Sequence, residues 1–405
     1  MTGTGREAVE AVWRIESARI VGALARSTGD FSLAEDVAQE ALAQALVSWP
    51  RDGVPANPAG WLLTTGRRRA IDAFRRRSAL DERYAALAHE PPREEAPGDD
   101  LLALMFIACH PMLSREAQVA LTLRVLGGLT SDEIARGFLV PTATVQARIT
   151  RAKKTLSAAR VPFEVPPDEE CRARLGPLLS VLYLIFTEGS SATSGEELIR
   201  PDLAREAIRL TRVLVTLLPD EPEVHGLLAL LELTAARFPA RLDADGDPVL
   251  LEQQDRRRWD REAIRRGRAA LAQAGRVGRG LGPYGVQAAI AECHAVAPSV
   301  AETDWQRIVL LYEALGRIAP SPVVELNGAV ALSMARGPAA ALAVVDELVA
   351  GGSLAGSHLL PSVRGELLGR LGRTDEARAE LALAVRLCGN ARERGLLERK
   401  IAALG

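Results

Sequence analysis

Apolar residues return every three or four positions along nearly the whole chain, and alternation at a period of two, the mark of a half-buried strand, is almost absent. Alanine, leucine, arginine and glutamate fill these repeats, so the pattern predicts an all-α protein. Residues 31–49, FSLAEDVAQEALAQALVSW, show it well: Leu33, Val37, Ala41 and Leu42 gather on one face and leave Asp36, Gln39 and Glu40 together on another. Ser32, with Glu35 three residues on, predicts a capping box and hence the start of this helix. The acidic stripe either faces solvent or meets a basic protein partner; it does not lie along DNA.

Residues 129–156, LTSDEIARGFLVPTATVQARITRAKKTL, predict two short helices around a tight turn. Ile134, Ala135 and Phe138 form the apolar face of the first, with Ser131 as its N-cap. Pro141 ends that helix and suits the start of the next. Val145, Ile149 and Ala152 then turn inward, which leaves Thr142, Thr144, Gln146, Arg148, Arg151 and Lys154 outside, with Lys153 beside them. Hydroxyl and amide groups near the N-terminus of such a helix can meet base edges, while Arg148, Arg151, Lys153 and Lys154 neutralise phosphates.

A second basic element lies upstream. NPAGWLLTTGRRRAIDAFRRRSAL, residues 57–80, holds six arginines within eleven residues, with Ile71 and Phe74 expected to anchor its apolar face. Arg67, Arg68, Arg69, Arg75 and Arg76 clamp phosphates, and Asn57 and Trp61 at its start offer an amide and a ring that suit unpaired bases. Trp61 alone fits a core position equally well.

Composition narrows the picture. The chain has 405 residues, is 48% hydrophobic and 25% charged, and so has room for several domains. Its net charge of −2 conceals a segregation: residues 134–163 carry six bases and no acid, whereas residues 81–100 carry seven acids and two arginines. That acidic stretch contains Pro91, Pro92 and Pro97 and little apolar content, which predicts a linker. Long charge-free apolar runs and a signal-type amino terminus are both lacking, so a cytoplasmic protein without a membrane span is expected. Cys109, Cys171, Cys293 and Cys388 stand apart, outside finger spacing, and are expected to be reduced, buried thiols rather than metal ligands.

The three elements, in this order, resemble the sigma-70 superfamily, and their compact layout resembles its extracytoplasmic-function branch. AEDVAQEALAQAL is similar to the region 2.2 helix, GWLLTTGRRRAIDAFRRR to regions 2.3 and 2.4, and residues 129–156 to region 4.2. The resemblance implies that Asp36, Gln39 and Glu40 contact the β′ clamp helices of core RNA polymerase, with the β flap as a further contact. It also implies that Asn57, Trp61, Arg67, Arg68, Arg69, Arg75 and Arg76 face the −10 element. Thr142, Thr144, Gln146, Arg148, Arg151, Lys153 and Lys154 would face the −35 major groove. The double-tryptophan wedge of primary sigma factors has no counterpart, since Thr65 and Gly66 stand near its place, so melting would depend on capturing a flipped base. Pro141 also stands where a serine cap is common in the family. The resemblance gives the acidic linker a place in the channel later taken by RNA, where its carboxylates either imitate phosphates or are simply solvated.

Most members of that family would stop near residue 160. Here VPFEVPPDEE, residues 161–170, marks a boundary, and helix pairs follow. Gly337 and Gly372, thirty-five residues apart, each divide an apolar helix from an alanine-rich one, a period that predicts tetratricopeptide-like hairpins. The expected domains are a sigma region 2 bundle at 1–80, the linker at 81–100, a sigma region 4 helix-turn-helix at 101–160 and the helical extension at 161–405. Such an arrangement resembles the subgroup with a tetratricopeptide-like extension, in which YLIFTEG looks like a shared signature. Tyr183, Phe186, Glu188 and Gly189 are its candidate working residues, packing the extension onto the sigma domains or recruiting a protein partner. The plainer reading is a helix end capped by Gly189.

Enzymatic chemistry finds no support: P-loop, dinucleotide fingerprint and nucleophile elbow are all missing, and no cofactor is expected. Asp243, Asp245 and Asp247 start like a calcium loop, but Pro248 and Gln254 replace its glycine and its bidentate glutamate. Two functions stand against each other, a dissociable polymerase subunit and a free-standing helix-turn-helix regulator with a helical sensor. Only the first gives Asp36, Gln39 and Glu40 work to do.

Overall fold

The computed structural model describes residues 3–77, 97–190, 199–278 and 280–404. Within them the protein is helical, and the sole β pairing is an isolated bridge between Leu242 and Pro248. Most of the expected linker lies outside the described residues. The chain forms two compact units, Met1–Leu184 and Ile185–Gly405.

The first unit opens with α1 (Gly3–Thr28), α2 (Phe31–Asp52) and α3 (Pro58–Arg77). Val9, Trp13, Ile20, Leu24 and Ala25 give α1 one buried stripe, against which α2 and α3 pack. In α2 the inward set is Leu33, Ala34, Val37, Ala38, Ala41, Ala45 and Trp49, whereas Leu42 is only half-buried. Its start is also two residues earlier than the sequence suggests. Asp30, not Ser32, is the N-cap and accepts from the Leu33 amide at 3.1 Å, which releases Glu35 for other work. In α3, Leu62, Gly66 and Ala70 are the buried positions, a narrow stripe at i, i+4 and i+8; Ile71, expected as an anchor, is exposed.

Helices α4 (Pro97–Ala108), α5 (Arg115–Val125), α6 (Ser131–Phe138) and α7 (Thr142–Ala158) follow. The last four residues of the expected linker are thus the first turn of α4, where Asp100 takes the Arg26 guanidinium of α1 at 2.6 Å. Residues 102–109 of this helix and its end are buried, and α4 packs on both α1 and α5. Thr130, rather than Ser131, caps α6 in a full capping box with Glu133. Leu139 in the left-handed conformation (φ 50°) and Pro141 make the turn into α7, as the helix-turn-helix reading requires. Val145, Ile149, Ala152 and Leu156 lock α7 inward.

Helix α8 (Asp168–Ser190) runs across the division between the units. The helix does not stop at a Gly189 cap. Gly189 is its penultimate residue and lies so close to α9 (Pro201–Leu217) that a Cβ there would sit 2.4 Å from the Ala204 nitrogen. Steric room, not a turn, is what this glycine supplies. Phe186 is buried and stacks on Phe238 with centroids 6.1 Å apart, and Glu188 is buried in an ion pair with Arg200.

The second unit continues with α10 (Pro222–Ala235), α11 (Arg261–Arg276), α12 (Pro283–Val296), α13 (Trp305–Ile318), α14 (Pro322–Arg336), α15 (Pro338–Ala350), α16 (Leu359–Arg370), α17 (Thr374–Leu387) and α18 (Ala391–Ala402). Each packs on the next, and cores such as Leu326, Leu342, Val345 and Leu367 fill successive interfaces. Gly337 (φ 94°) and Gly372 (φ 76°) make the turns between α14 and α15 and between α16 and α17, a backbone conformation that other residues rarely adopt. Asp247 is not a calcium ligand in waiting, because Arg392 at 2.9 Å and Arg399 at 3.0 Å hold its carboxylate. Of the four thiols, Cys109, Cys293 and Cys388 are buried, but Cys171 is only half-buried. Burial pushes the Cys109 thiol up to about 12. Among the described residues no helix is long and apolar enough to cross a membrane.

Candidate nucleic-acid and partner interface

The three surfaces read from the sequence all belong to the first unit. On α2, Asp36 and Glu40 are exposed and Gln39 is half-buried, so the acidic stripe does face outward. On α3, Arg68, Arg69 and Arg75 are exposed and Arg67 is half-buried; the Arg76 side chain lies outside the described residues. On α7, Gln146, Arg151 and Lys154 are exposed, and Thr142, Thr144, Arg148 and Lys153 are half-buried.

Several of these side chains are already engaged. Asn57 caps α3, its Oδ1 accepting from the Gly60 amide at 2.9 Å. Trp61 is half-buried and meets Trp49 edge to face at 5.6 Å, which ties the start of α3 to α2. Arg69 donates to Gln44 Oε1 at 3.2 Å and lies 3.9 Å from the Glu40 carboxylate, so the acidic and basic stripes adjoin along one edge. The Thr142 hydroxyl donates to Asp132 at 2.8 Å, and Arg151 Nε to the Ala147 carbonyl at 3.2 Å.

The most consequential contact joins two surfaces that the sequence analysis kept apart. Lys153 of α7 donates to Glu35 at 2.6 Å and also pairs with Asp36, both on α2. Arg124 of α5 lies 3.5 Å from the other oxygen of Glu35. Glu35 is 3% exposed, a buried carboxylate between two cations. Burial works against the charge on Lys153, but the Glu35 and Asp36 carboxylates outweigh it and hold the ammonium above its ordinary range. A second tie runs from Arg14 of α1 to Glu133 of the α6 capping box at 2.9 Å. Burial pulls Glu133 upward, and the Thr130 hydrogen bonds with Arg14 and Arg136 reverse that and leave it low.

Asp36 therefore has a partner inside its own chain, and polymerase contact is not the only work it can do. Sequence reasoning missed these contacts because Glu35 reads as the capping-box partner of Ser32, and Arg124 and Arg14 as ordinary helix residues. The available signals were weak: a carboxylate among inward positions of α2 and a lone base at the end of the apolar helix α5.

A helix-turn-helix with a basic outer face, together with a bundle whose arginine-rich helix borders an acidic stripe, defines a protein that reads DNA as part of a larger assembly. Comparison with known families makes this specific. Residues 14–79 match Sigma-70 region 2, residues 103–156 match Sigma-70, region 4, and residues 174–275 match a family of unknown function, DUF6596. An uncharacterized protein of Rhizobium meliloti, R00370, is 45% identical over 393 residues, 94% of this chain and 92% of its own. The probable ECF RNA polymerase sigma factor SigI of Mycobacterium tuberculosis is 25% identical over 169 residues, 39% of this chain and 58% of its own. The ECF RNA polymerase sigma factor SigK of Mycolicibacterium vanbaalenii is 27% identical over 154 residues, 35% of this chain and 76% of its own. No solved structure matches the chain. The chain belongs to the sigma-70 superfamily, as an extracytoplasmic-function RNA polymerase sigma factor with a helical extension.

Proposed function

We propose that this sigma factor docks on the β′ clamp helices of core polymerase through Asp36, Gln39 and Glu40. In this reading the exposed arginines of α3 then engage the −10 element, the outer face of α7 reads the −35 groove, and the C-terminal unit modulates the whole. The observation that carries it is the pairing of Asp36 with Lys153, one residue assigned to polymerase and the other to promoter. While that pair and the Glu35 pair hold, the Lys153 ammonium is committed to α2, and the exposed Asp36 carboxylate is engaged on one side. Docking that takes Asp36 removes one of the two carboxylates that hold Lys153 and leaves it on Glu35 alone, which loosens the tie between α2 and α7 as polymerase binds, and core enzyme then presents both DNA-reading surfaces at once, an effective-concentration gain. Asn57 and Trp61 have structural contacts in this state, so base capture at their position requires α3 to yield its first turn.

Gel filtration with core polymerase tests the docking. The wild-type chain should co-elute and Asp36→Arg with Glu40→Arg should not; co-elution of the double variant overturns the assignment. Specific DNA binding by the isolated chain with no core complex would instead mark a free-standing regulator. Control by the C-terminal unit is tested by in vitro transcription with a chain ending at Leu184, its fold checked by circular dichroism. Output equal to that of the full chain would remove the extension from the account.

A further inference from the structure

The second unit holds three half-buried arginines, Arg237, Arg241 and Arg256, that form no ion pair among the described residues. Arg237 follows α10, Arg241 follows the 3-10 turn at 238–240, and Arg256 opens the turn at 256–258. Arg237 and Arg256 cover the ring of Trp259, with Cζ atoms 5.5 Å and 4.6 Å from its centroid, and Trp259 is 3% exposed. Among the described residues none of the three forms an ion pair. Their partners are neutral: Arg237 Nε donates to Gln254 Oε1 at 3.3 Å and Arg241 Nη1 to the Ser190 carbonyl at 2.5 Å. Arg256 Nη1 donates to the carbonyls of His294 and Ala297 at 2.5 and 2.7 Å. Only Glu393 acts on Arg241, and it does so through space.

The polar atoms behind this group are unsatisfied. Arg256 Nη2, Trp259 Nε1 and His294 Nδ1 are buried without a hydrogen-bond partner. Burial, then the charges of Arg241 and Arg256, push Arg237 down to about 10; burial, then Arg237 and Arg256, push His294 down to about 4. One positive field thus covers four side chains. All three guanidinium groups are half-buried, and a cation drawn out of water is normally paired in a folded chain. The same unit does so elsewhere: Glu188 pairs with Arg200, and Glu232 takes Arg266 at 3.1 Å and Arg212 as well. The exception at Arg237, Arg241 and Arg256 calls for an anion.

We propose that Arg237 and Arg241, backed by Arg256 and His294, bind the carboxylate or phosphate group of a small molecule. Arg237 spends only Nε and Arg241 only Nη1 on the chain, so each keeps N–H groups for an oxyanion, and the planar fork suits both anion types. A nucleobase or aromatic ligand is not favoured, because Trp259 is buried and two guanidinium groups already lie over its ring. This site is independent of the polymerase reading.

Thermal unfolding of the full-length chain tests it, with inorganic phosphate and citrate as probes, each against sodium chloride at equal ionic strength. A saturable rise in Tm with either probe beyond the chloride control is expected, since a ligand of the folded state stabilises it by mass action. Phosphate acting alone marks a phosphate site, citrate alone a carboxylate site. Arg237→Gln with Arg241→Gln should weaken the apparent affinity at least tenfold. Arg241→Lys, which keeps the charge and loses the fork, should weaken it less and serves if the double variant fails to fold. No rise beyond chloride in the wild type, or equal responses in wild type and variants, overturns the proposal.

Discussion

Two groups of charge in this molecule are built on opposite plans. In the first unit Glu35 is sunk between Lys153 and Arg124, and Asp36 extends the group to the surface, so every cation has its anion within the chain. In the second unit Arg237 and Arg256 lie over Trp259, and they and Arg241 have only carbonyl and amide hydrogen-bond partners. A closed ion network holds its elements in one arrangement and releases them when a competitor takes one member. An open cluster instead carries an electrostatic cost that only an added anion relieves. The first plan suits a contact to be exchanged, the second a vacancy to be filled by something outside the chain.

The sharpest way to separate the plans is to remove one charge from each. Glu35→Gln leaves Arg124 without its carboxylate and Lys153 with Asp36 alone, side chains that are 18% and 14% exposed, and should destabilise the first unit by about 3 kcal/mol in urea unfolding. Arg241→Gln should cost nothing or stabilise the second unit; an equal loss at both sites would erase the distinction. Acid offers the next largest effect. Because His294 sits at about 4 when folded and at its ordinary 6.5 when unfolded, the unfolded chain binds the extra proton between those values. Stability from the neutral ring is therefore full above pH 6.5 and is lost as pH falls toward 4, up to about 3 kcal/mol, a slope that His294→Asn should flatten. Gly189→Ala should destabilise by about 1–3 kcal/mol through its clash with Ala204, measurable in the same urea titration. Smallest is Asp36→Asn. Its side chain is 54% exposed, so solvent screening should keep the loss below about 1 kcal/mol, with Lys153 still held by Glu35.

How much of this was legible depended on whether the signal was local. The inward locks Val145, Ile149 and Ala152, the turn at Pro141 and the glycine turns at 337 and 372 follow from periodicity and backbone preference, and all stand in the structure. The caps were misread by one or two residues, at Ser32 for Asp30 and at Ser131 for Thr130, because adjacent polar residues offer the same oxygen and only the helix entry angle chooses between them. Ile71 failed as an anchor because a helix packed through small residues needs only the narrow stripe of Leu62, Gly66 and Ala70. Gly189 was expected at a helix end, and the neighbour that explains it, Ala204, lies on another helix.

Helix content, the turn of the DNA-reading unit and the succession of paired helices were set by the sequence itself, since each rests on interactions among residues a few positions apart. The pairing of Glu35 with Lys153, 118 residues away, and the gathering of Arg237 and Arg256 over one buried ring were decided by the tertiary structure alone. Electrostatics of that kind depend on distance and burial, and neither is written in the order of residues.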